Sequence, residues 1–311
     1  VDVQQVLDET LIMAERLRRT TLRVRAAHYG RTVALVAADP GLDVLGLANA
    51  ITEALADTGL SIWTVDDRDA GQPTDWFHRI EAAHDLVLYV SETPDDPWRR
   101  RAERRADRVF VVTRDTTPIA KAEGERTDSE WVLMVDDRPN PHAVTGARGL
   151  THIVRRDHPR DVGRLARFMA GRAVGLVLSG GGARGFAHLG VVRALRQAGV
   201  PIDAVGGTSM GAIVAAGVAM EWGDAELADR MRDAFVLTNP LSDVAVPLVA
   251  FFRGHKVAGL FERHFGAARI EDLPVPFFCV TSDLTAGTDA VQRSGPLARA
   301  LRATVALPGI L

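Results

Sequence analysis

Residues 175–211 read GLVLSGGGARGFAHLGVVRALRQAGVPIDAVGGTSMG. Two short apolar runs in this stretch each end in glycines, and each glycine turn opens a helix-like segment. The first turn is Gly180, Gly181, Gly182, Ala183, Arg184 and Gly185, and a helical pattern follows over 186–198. The second is Gly207, Thr208, Ser209, Met210 and Gly211, a G-x-S-x-G that opens an apolar helix over 211–220. Strand, turn and helix repeated in this order predict adjacent βα units, with strands at 173–178 and 202–205, and so an α/β fold.

A G-x-S-x-G between strand and helix forces its serine onto a sharp turn, and the flanking glycines let the two elements approach closely. Ser209 then stands at a helix N-terminus, where the dipole and free amides favour an alkoxide or oxyanion. It still needs a base to become a nucleophile. In the 180–185 loop, successive glycines let backbone amides converge on one oxygen, as in an oxyanion hole. Arg184 reads either as a brace for this loop or as an attractor for a phosphate head group. Gly180, Gly182 and Gly185 also spell the dinucleotide fingerprint G-x-G-x-x-G, which asks for an acidic residue near the end of the next strand. Asp203 falls at that strand's start instead, and the strand runs into the serine turn, so the hydrolase reading is preferred.

Working outward, residues 31–172 alternate apolar runs with helical segments. Strands are expected at 32–37, 61–65, 85–90, 108–113, 131–135 and 151–154, and helices at 44–56, 74–83, 97–106 and 161–170. This predicts a Rossmann-like parallel α/β domain, followed by a second domain at 173–311. The turn at 37–41 follows a strand and precedes a helix, as a phosphate loop does, but it lacks G-x-x-x-x-G-K-[ST]. A structural domain is preferred to a nucleotide-binding switch. Arg99, Arg100, Arg101, Arg104, Arg105 and Arg108 are read as a solvated face, with no interleaved aromatics to suit nucleic acid. Residues 1–30 read as an amphipathic linker helix with a basic second half, in preference to a membrane-surface helix.

Composition bounds the rest. The chain has 311 residues, 47% hydrophobic and 25% charged, with a net charge of −3. That argues against general affinity for nucleic acid or anionic membrane. The single cysteine, Cys279, lies in an apolar run and is expected in the core; one cysteine makes neither an internal disulfide nor a multi-cysteine metal site. No apolar run is long enough to span a bilayer, and there is no signal peptide. The start at Val1 suggests a piece of a longer protein.

The motifs together resemble the patatin-like phospholipase family. The resemblance rests on residues 175–190 (GLVLSGGGARGFAHLG), 205–211 (VGGTSMG), 281–285 (TSDLT) and 295–311 (GPLARALRATVALPGIL). Residues 31–170 are similar, more loosely, to the region preceding this domain in bacterial relatives of neuropathy target esterase. The resemblance implies a serine–aspartate dyad, with Ser209 as nucleophile and the 180–185 loop as oxyanion hole. The family's aspartate lies in a D-G-G or D-G-A shortly after an A-x-P-G-I segment. Here that segment is Ala306-Leu307-Pro308-Gly309-Ile310, and neither D-G-G nor D-G-A occurs in the sequence. The expectation is a truncated hydrolase domain whose aspartate lies beyond Leu311. Within the chain Asp283, His188 and Asp203 are the candidate substitutes, each with a structural role preferred.

The implied function is a serine lipid acyl hydrolase acting on phospholipid or lysophospholipid, without metal or organic cofactor. The alternative is a non-catalytic, lipid-binding regulatory module. Implied surroundings are the cytoplasm or the inner face of the membrane, peripheral membrane contact, no nucleic acid, and an upstream cyclic-nucleotide-binding domain in the parent protein. Phe251, Phe252, Leu260, Phe261 and Phe265 are read as core of a helix pair in preference to a lipid-access surface.

Overall fold

β1 (Thr32–Ala37), β3 (Leu86–Ser91) and β4 (Arg108–Arg114) are almost continuously apolar and buried. Such runs belong at the centre of a parallel sheet covered on both faces. A computed structural model of the chain places them there. It describes residues 31–114, 129–136, 150–156, 158–238 and 254–306. The expected linker helix in residues 1–30, most of the polar stretch at 115–129, Phe251, Phe252 and residues 307–311 lie outside the described residues. Two compact units divide between Ala173 and Val174.

The first unit is a six-stranded parallel sheet in the order β2-β3-β1-β4-β5-β6. Its remaining strands are β2 (Ile62–Val65), β5 (Glu130–Val135) and β6 (Thr151–Arg155). From β1 the chain steps toward one edge to β2, then returns through β3 and crosses to β4, β5 and β6. Right-handed crossovers therefore put α1 (Val44–Ala54) on one face, and α2 (Thr74–Ala83) and α3 (Pro97–Arg105) on the other. The strands' two-residue alternation divides the core accordingly. Val33, Leu35, Leu88, Phe110 and Val132 pack with α1 and α4 (Pro159–Met169), while Val36, Tyr89, Val111 and Leu133 pack with Phe77, Trp98 and Ala102.

The Rossmann-like parallel domain is present, with a strand order the sequence left open, and the arginine run differs from expectation. The doubly wound Rossmann order is 3-2-1-4-5-6, and here β2 and β3 are exchanged. Burial differs accordingly: β2 at the edge leaves Trp63 43% exposed, whereas every residue of the inner strand β3 is buried. The arginine run is not a solvated face. The Arg101 and Arg105 guanidiniums lie 4.6 and 4.4 Å from the Phe77 ring centre. Arg99 reaches the Ala37 carbonyl at 2.9 Å, and Arg108 the Phe168 carbonyl at 2.7 Å. Only Arg100 and Arg104 of the six are exposed. Long stems covering an aromatic ring explain why so basic a helix packs.

The turn after β1 presents carboxylates where a phosphate loop presents amides. Asp39 accepts the Thr113 hydroxyl and the Arg114 amide, both at 2.9 Å. Asp43 accepts the Gly46 amide at 2.7 Å and so caps α1.

His152 on β6 is 3% exposed and lies between Phe110 and Phe168, with Nε2 2.9 Å from Glu130. Burial pushes its imidazole below the ordinary value of 6.5, against the pull of the Glu130 carboxylate. The unfolded chain thus binds this proton more readily than the folded one. Its contribution is complete above about pH 6.5 and is lost as pH falls toward the lower folded value. Thermal unfolding of the wild-type protein is expected to shift down between pH 7.5 and 5.5, with a slope of at most about 1.4 kcal/mol per pH unit from this group. His152→Gln should flatten that slope; equal slopes in the two proteins would assign it elsewhere.

The second unit has a four-stranded sheet in the order β10-β9-β8-β7. β7 (Gly175–Leu178), β8 (Ala204–Gly207) and β9 (Phe277–Asp283) run parallel, and β10 (Thr288–Gln292) closes an antiparallel hairpin on β9. β8 starts two residues later than expected. Asp203 is held at its entrance, where the carboxylate accepts the Val174 amide at 2.9 Å and the Asp203 amide donates to the Val174 carbonyl at 2.8 Å.

α5 (Ala187–Gln197), α6 (Met210–Ala219), α7 (Asp224–Arg232), α8 (His255–Phe265) and α9 (Leu297–Val305) share one core with Leu178, Val205, Phe277 and Cys279 of the sheet. All ten residues of α6 are buried, as expected of a helix apolar on every side. Leu260, Phe261 and Phe265 are buried core residues, as preferred from the sequence.

Candidate active site

Ser209 lies between the end of β8 and the start of α6, with φ 53° and ψ −126°. Among the described residues only Ser209 and Glu221 are non-glycine residues with positive φ. The Gly211 amide donates to the Thr208 carbonyl at 3.0 Å, closing a tight turn whose first corner is Ser209. The Thr208 amide donates to the Leu178 carbonyl at 3.2 Å, pinning this turn to the end of β7. The flanking glycines are required by close approach. A β-carbon on Gly207 would lie 2.4 Å from the Leu178 oxygen, and one on Gly211 2.2 Å from the same atom.

The two glycine motifs meet. A β-carbon built on Gly180 would sit 3.3 Å from Ser209 Cβ and 3.4 Å from the Thr208 oxygen. Gly185 packs against Met210, whose Cγ would be 2.1 Å from a β-carbon there. Residues 179–184 are exposed, and Ser209 is half-buried beside them. The second half of the loop is not irregular: Gly182–Phe186 forms a 3-10 turn leading into α5. Arg184 is exposed on that turn, with its amide bonded to the Gly181 carbonyl at 3.1 Å.

The side chains weighed as bases are engaged elsewhere. His188 Nε2 lies 2.9 Å from the Ser179 carbonyl, bracing the glycine loop. Asp203 is 1% exposed and holds the Val174 amide. Asp283 accepts the Thr285 and Ala286 amides at 2.9 and 3.0 Å in the β9–β10 turn. Cys279 is fully buried, and burial pushes its thiol up to about 12, so it stays an inert thiol.

One residue escaped the sequence reading. The Ser209 amide donates to the Thr304 hydroxyl at 3.0 Å, and that hydroxyl donates to the Val280 carbonyl at 2.5 Å. The available signal was a polar residue in the apolar stripe of α9, whose other buried members are Leu297, Ala298, Ala300 and Leu301.

Among the described residues no helix is long and apolar enough to cross a membrane, and no group of three or more His, Cys, Asp or Glu could hold a metal ion.

A strand–serine–helix corner with a glycine loop folded against it marks the second unit as an α/β unit of hydrolase type. Residues 176–311 match the patatin-like phospholipase family, and the chain carries a domain of that family. It is 37% identical over 240 residues to an uncharacterized NTE family protein of Mycobacterium tuberculosis, covering 75% of this chain and 40% of that relative. It is 32% identical over 280 residues to patatin-like phospholipase domain-containing protein 6 of Homo sapiens, covering 76% of this chain and 20% of that one. It is also 28% identical over 315 residues to a neuropathy target esterase of Drosophila grimshawi, covering 87% and 22%. The chain thus spans less than half the length of these relatives.

Proposed function

We propose that Ser209 is the nucleophile of a serine lipid acyl hydrolase and that amides of the 180–185 loop hold the oxyanion. The observation that carries this reading is the approach of Gly180 to Ser209, which brings the loop's backbone alongside the serine side chain. Ser209 Oγ attacks the ester carbonyl of a phospholipid or lysophospholipid. The carbonyl oxygen gains negative charge beside the loop, the alcohol leaves, and water releases the fatty acid from the acyl-enzyme. Each well-placed amide donor supplies about 2.7–4 kcal/mol of transition-state stabilisation.

The resemblance assigns the base to an aspartate of the family's D-G-G or D-G-A motif, which follows the segment matched here by residues 306–310. With His188, Asp203 and Asp283 all holding backbone groups, none is assigned that role. The same three engagements favour a second reading for the 311-residue chain by itself, in which it binds lipid without turnover. Peripheral contact with the cytoplasmic membrane face goes with the lipid substrate, and residues 31–172 serve as a structural domain.

A fluorophosphonate probe tests the nucleophile, with intact mass as readout on both the full-length protein and this chain. Labelling of the full-length protein that disappears in Ser209→Ala, together with fatty-acid release from a lysophospholipid, is the expected result. Labelling confined to the full-length protein places the base outside this chain. A folded full-length protein that binds lysophospholipid micelles yet neither labels nor hydrolyses would replace the enzyme reading with the binding one.

A further inference from the structure

Thr304 is the one polar member of the buried stripe of α9, and its hydroxyl joins three elements. It donates to the Val280 carbonyl on β9 and accepts the Ser209 amide at the start of α6. A carbonyl can only accept and an amide can only donate, so the hydroxyl needs both its donor and an acceptor site here. Valine matches threonine in shape and offers neither.

The peptide between Thr208 and Ser209 is thereby held at both ends. Its N–H is taken by Thr304, and its C=O by the Gly211 amide. This orientation is what keeps Ser209 at φ 53°. Rotating the peptide would return φ to negative values, which a serine prefers. The same rotation would break the tight turn closed by the Gly211 amide, which holds Ser209 beside the Gly180 backbone. The bond also consumes Ser209's own amide, leaving the oxyanion to other donors.

We propose that Thr304 is a positioning residue that locks the nucleophile corner in its strained conformation and so aligns Ser209 Oγ with the glycine loop. This inference rests on Ser209 being the nucleophile. Thr304 touches no substrate and acts through the Thr208–Ser209 peptide. Its effect therefore belongs in kcat and in the reactivity of the serine, with KM unchanged, because misplacing a reacting atom by about 1 Å can cost about a hundredfold in rate.

The experiment compares Thr304→Val, Thr304→Ser and Ser209→Ala in the full-length protein. Lysophospholipid hydrolysis and the fluorophosphonate labelling rate are measured well below the melting temperature of each variant. The expected result is a fall in kcat of about tenfold to a hundredfold for Thr304→Val at unchanged KM, with Thr304→Ser within roughly threefold of the parent. A folded valine variant within roughly threefold of the parent overturns the proposal, as does a serine variant that falls as far as the valine one. Should the valine variant not fold, Thr304→Cys replaces it, being close to serine in size but a weak hydrogen-bonding group. Cysteine must then fall about tenfold below serine, and equality overturns the proposal. Activity retained by Ser209→Ala would refute the nucleophile itself. An inactive Ser209→Ala beside an unchanged Thr304→Val refutes only the positioning role.

Discussion

Replacing Ser209 with alanine is expected to abolish fatty-acid release by the full-length protein while leaving the fold intact. The two halves of this expectation have separate physical grounds. The substitution removes only Oγ, and the tie from the residue-209 amide to Thr304 uses backbone and survives. Alanine suffers the positive φ as serine does, so the change in stability should stay within about 1 kcal/mol. Activity, by contrast, depends on a covalent step that needs the residue-209 hydroxyl. Cys279 is fully buried with its thiol pushed up to about 12. Where nucleophile, base and oxyanion hole act as a unit, losing the serine costs about 10⁶ in kcat. Fatty-acid release from a lysophospholipid, measured beside a melting curve, checks both halves. Hydrolysis by the alanine variant within about tenfold of the parent would show that the acyl group is carried elsewhere.

The second large effect is on folding. Gly211→Ala should destabilise the second unit by about 3 kcal/mol or more, at the upper end of overpacking costs. The new methyl would lie 2.2 Å from the Leu178 oxygen and 2.4 Å from the Ser179 oxygen. Both are backbone atoms at the end of β7, where the sheet register and the Thr208–Leu178 hydrogen bond fix them. No rotamer relieves the clash, so α6 must move away from β7 and carry Ser209 from the glycine loop. Gly190→Ala is the matched control. It lies within α5 with nothing within 4 Å of its built β-carbon, and there alanine should be neutral or stabilising by up to about 1 kcal/mol. Denaturation midpoints of the two variants make the comparison. A Gly211→Ala protein as stable as Gly190→Ala would mean that strand and helix can part without cost.

Which residues were legible follows from the range of the forces involved. The 175–211 stretch announces its turns because the steric demand is local. Glycine must stand where a strand end and a helix start nearly touch, and those contacts close within a few tens of residues. The strands of the first unit were readable for a similar reason, since alternation and apolar runs follow from burial on one face or two. The placing of β2 outside β3 was not legible, since IWTV and LVLYVS are both apolar but for one hydroxyl-bearing Thr or Ser besides the tyrosine.

By itself, then, the sequence determined the α/β class, the order of elements in the first unit, and the two glycine turns with Ser209 between strand and helix. These depend on backbone sterics and hydrophobic periodicity, which a chain carries in its local spelling. Only the tertiary structure decided the partners. It stacked Arg101 and Arg105 on Phe77, gave His188, Asp203 and Asp283 backbone groups to hold, and set Thr304 against a Ser209 amide 95 residues away. A hydroxyl or guanidinium can satisfy itself in many ways, and nothing in its immediate neighbours says which. The choice is made when folding brings distant donors and acceptors within about 3 Å and removes the water that would otherwise serve them.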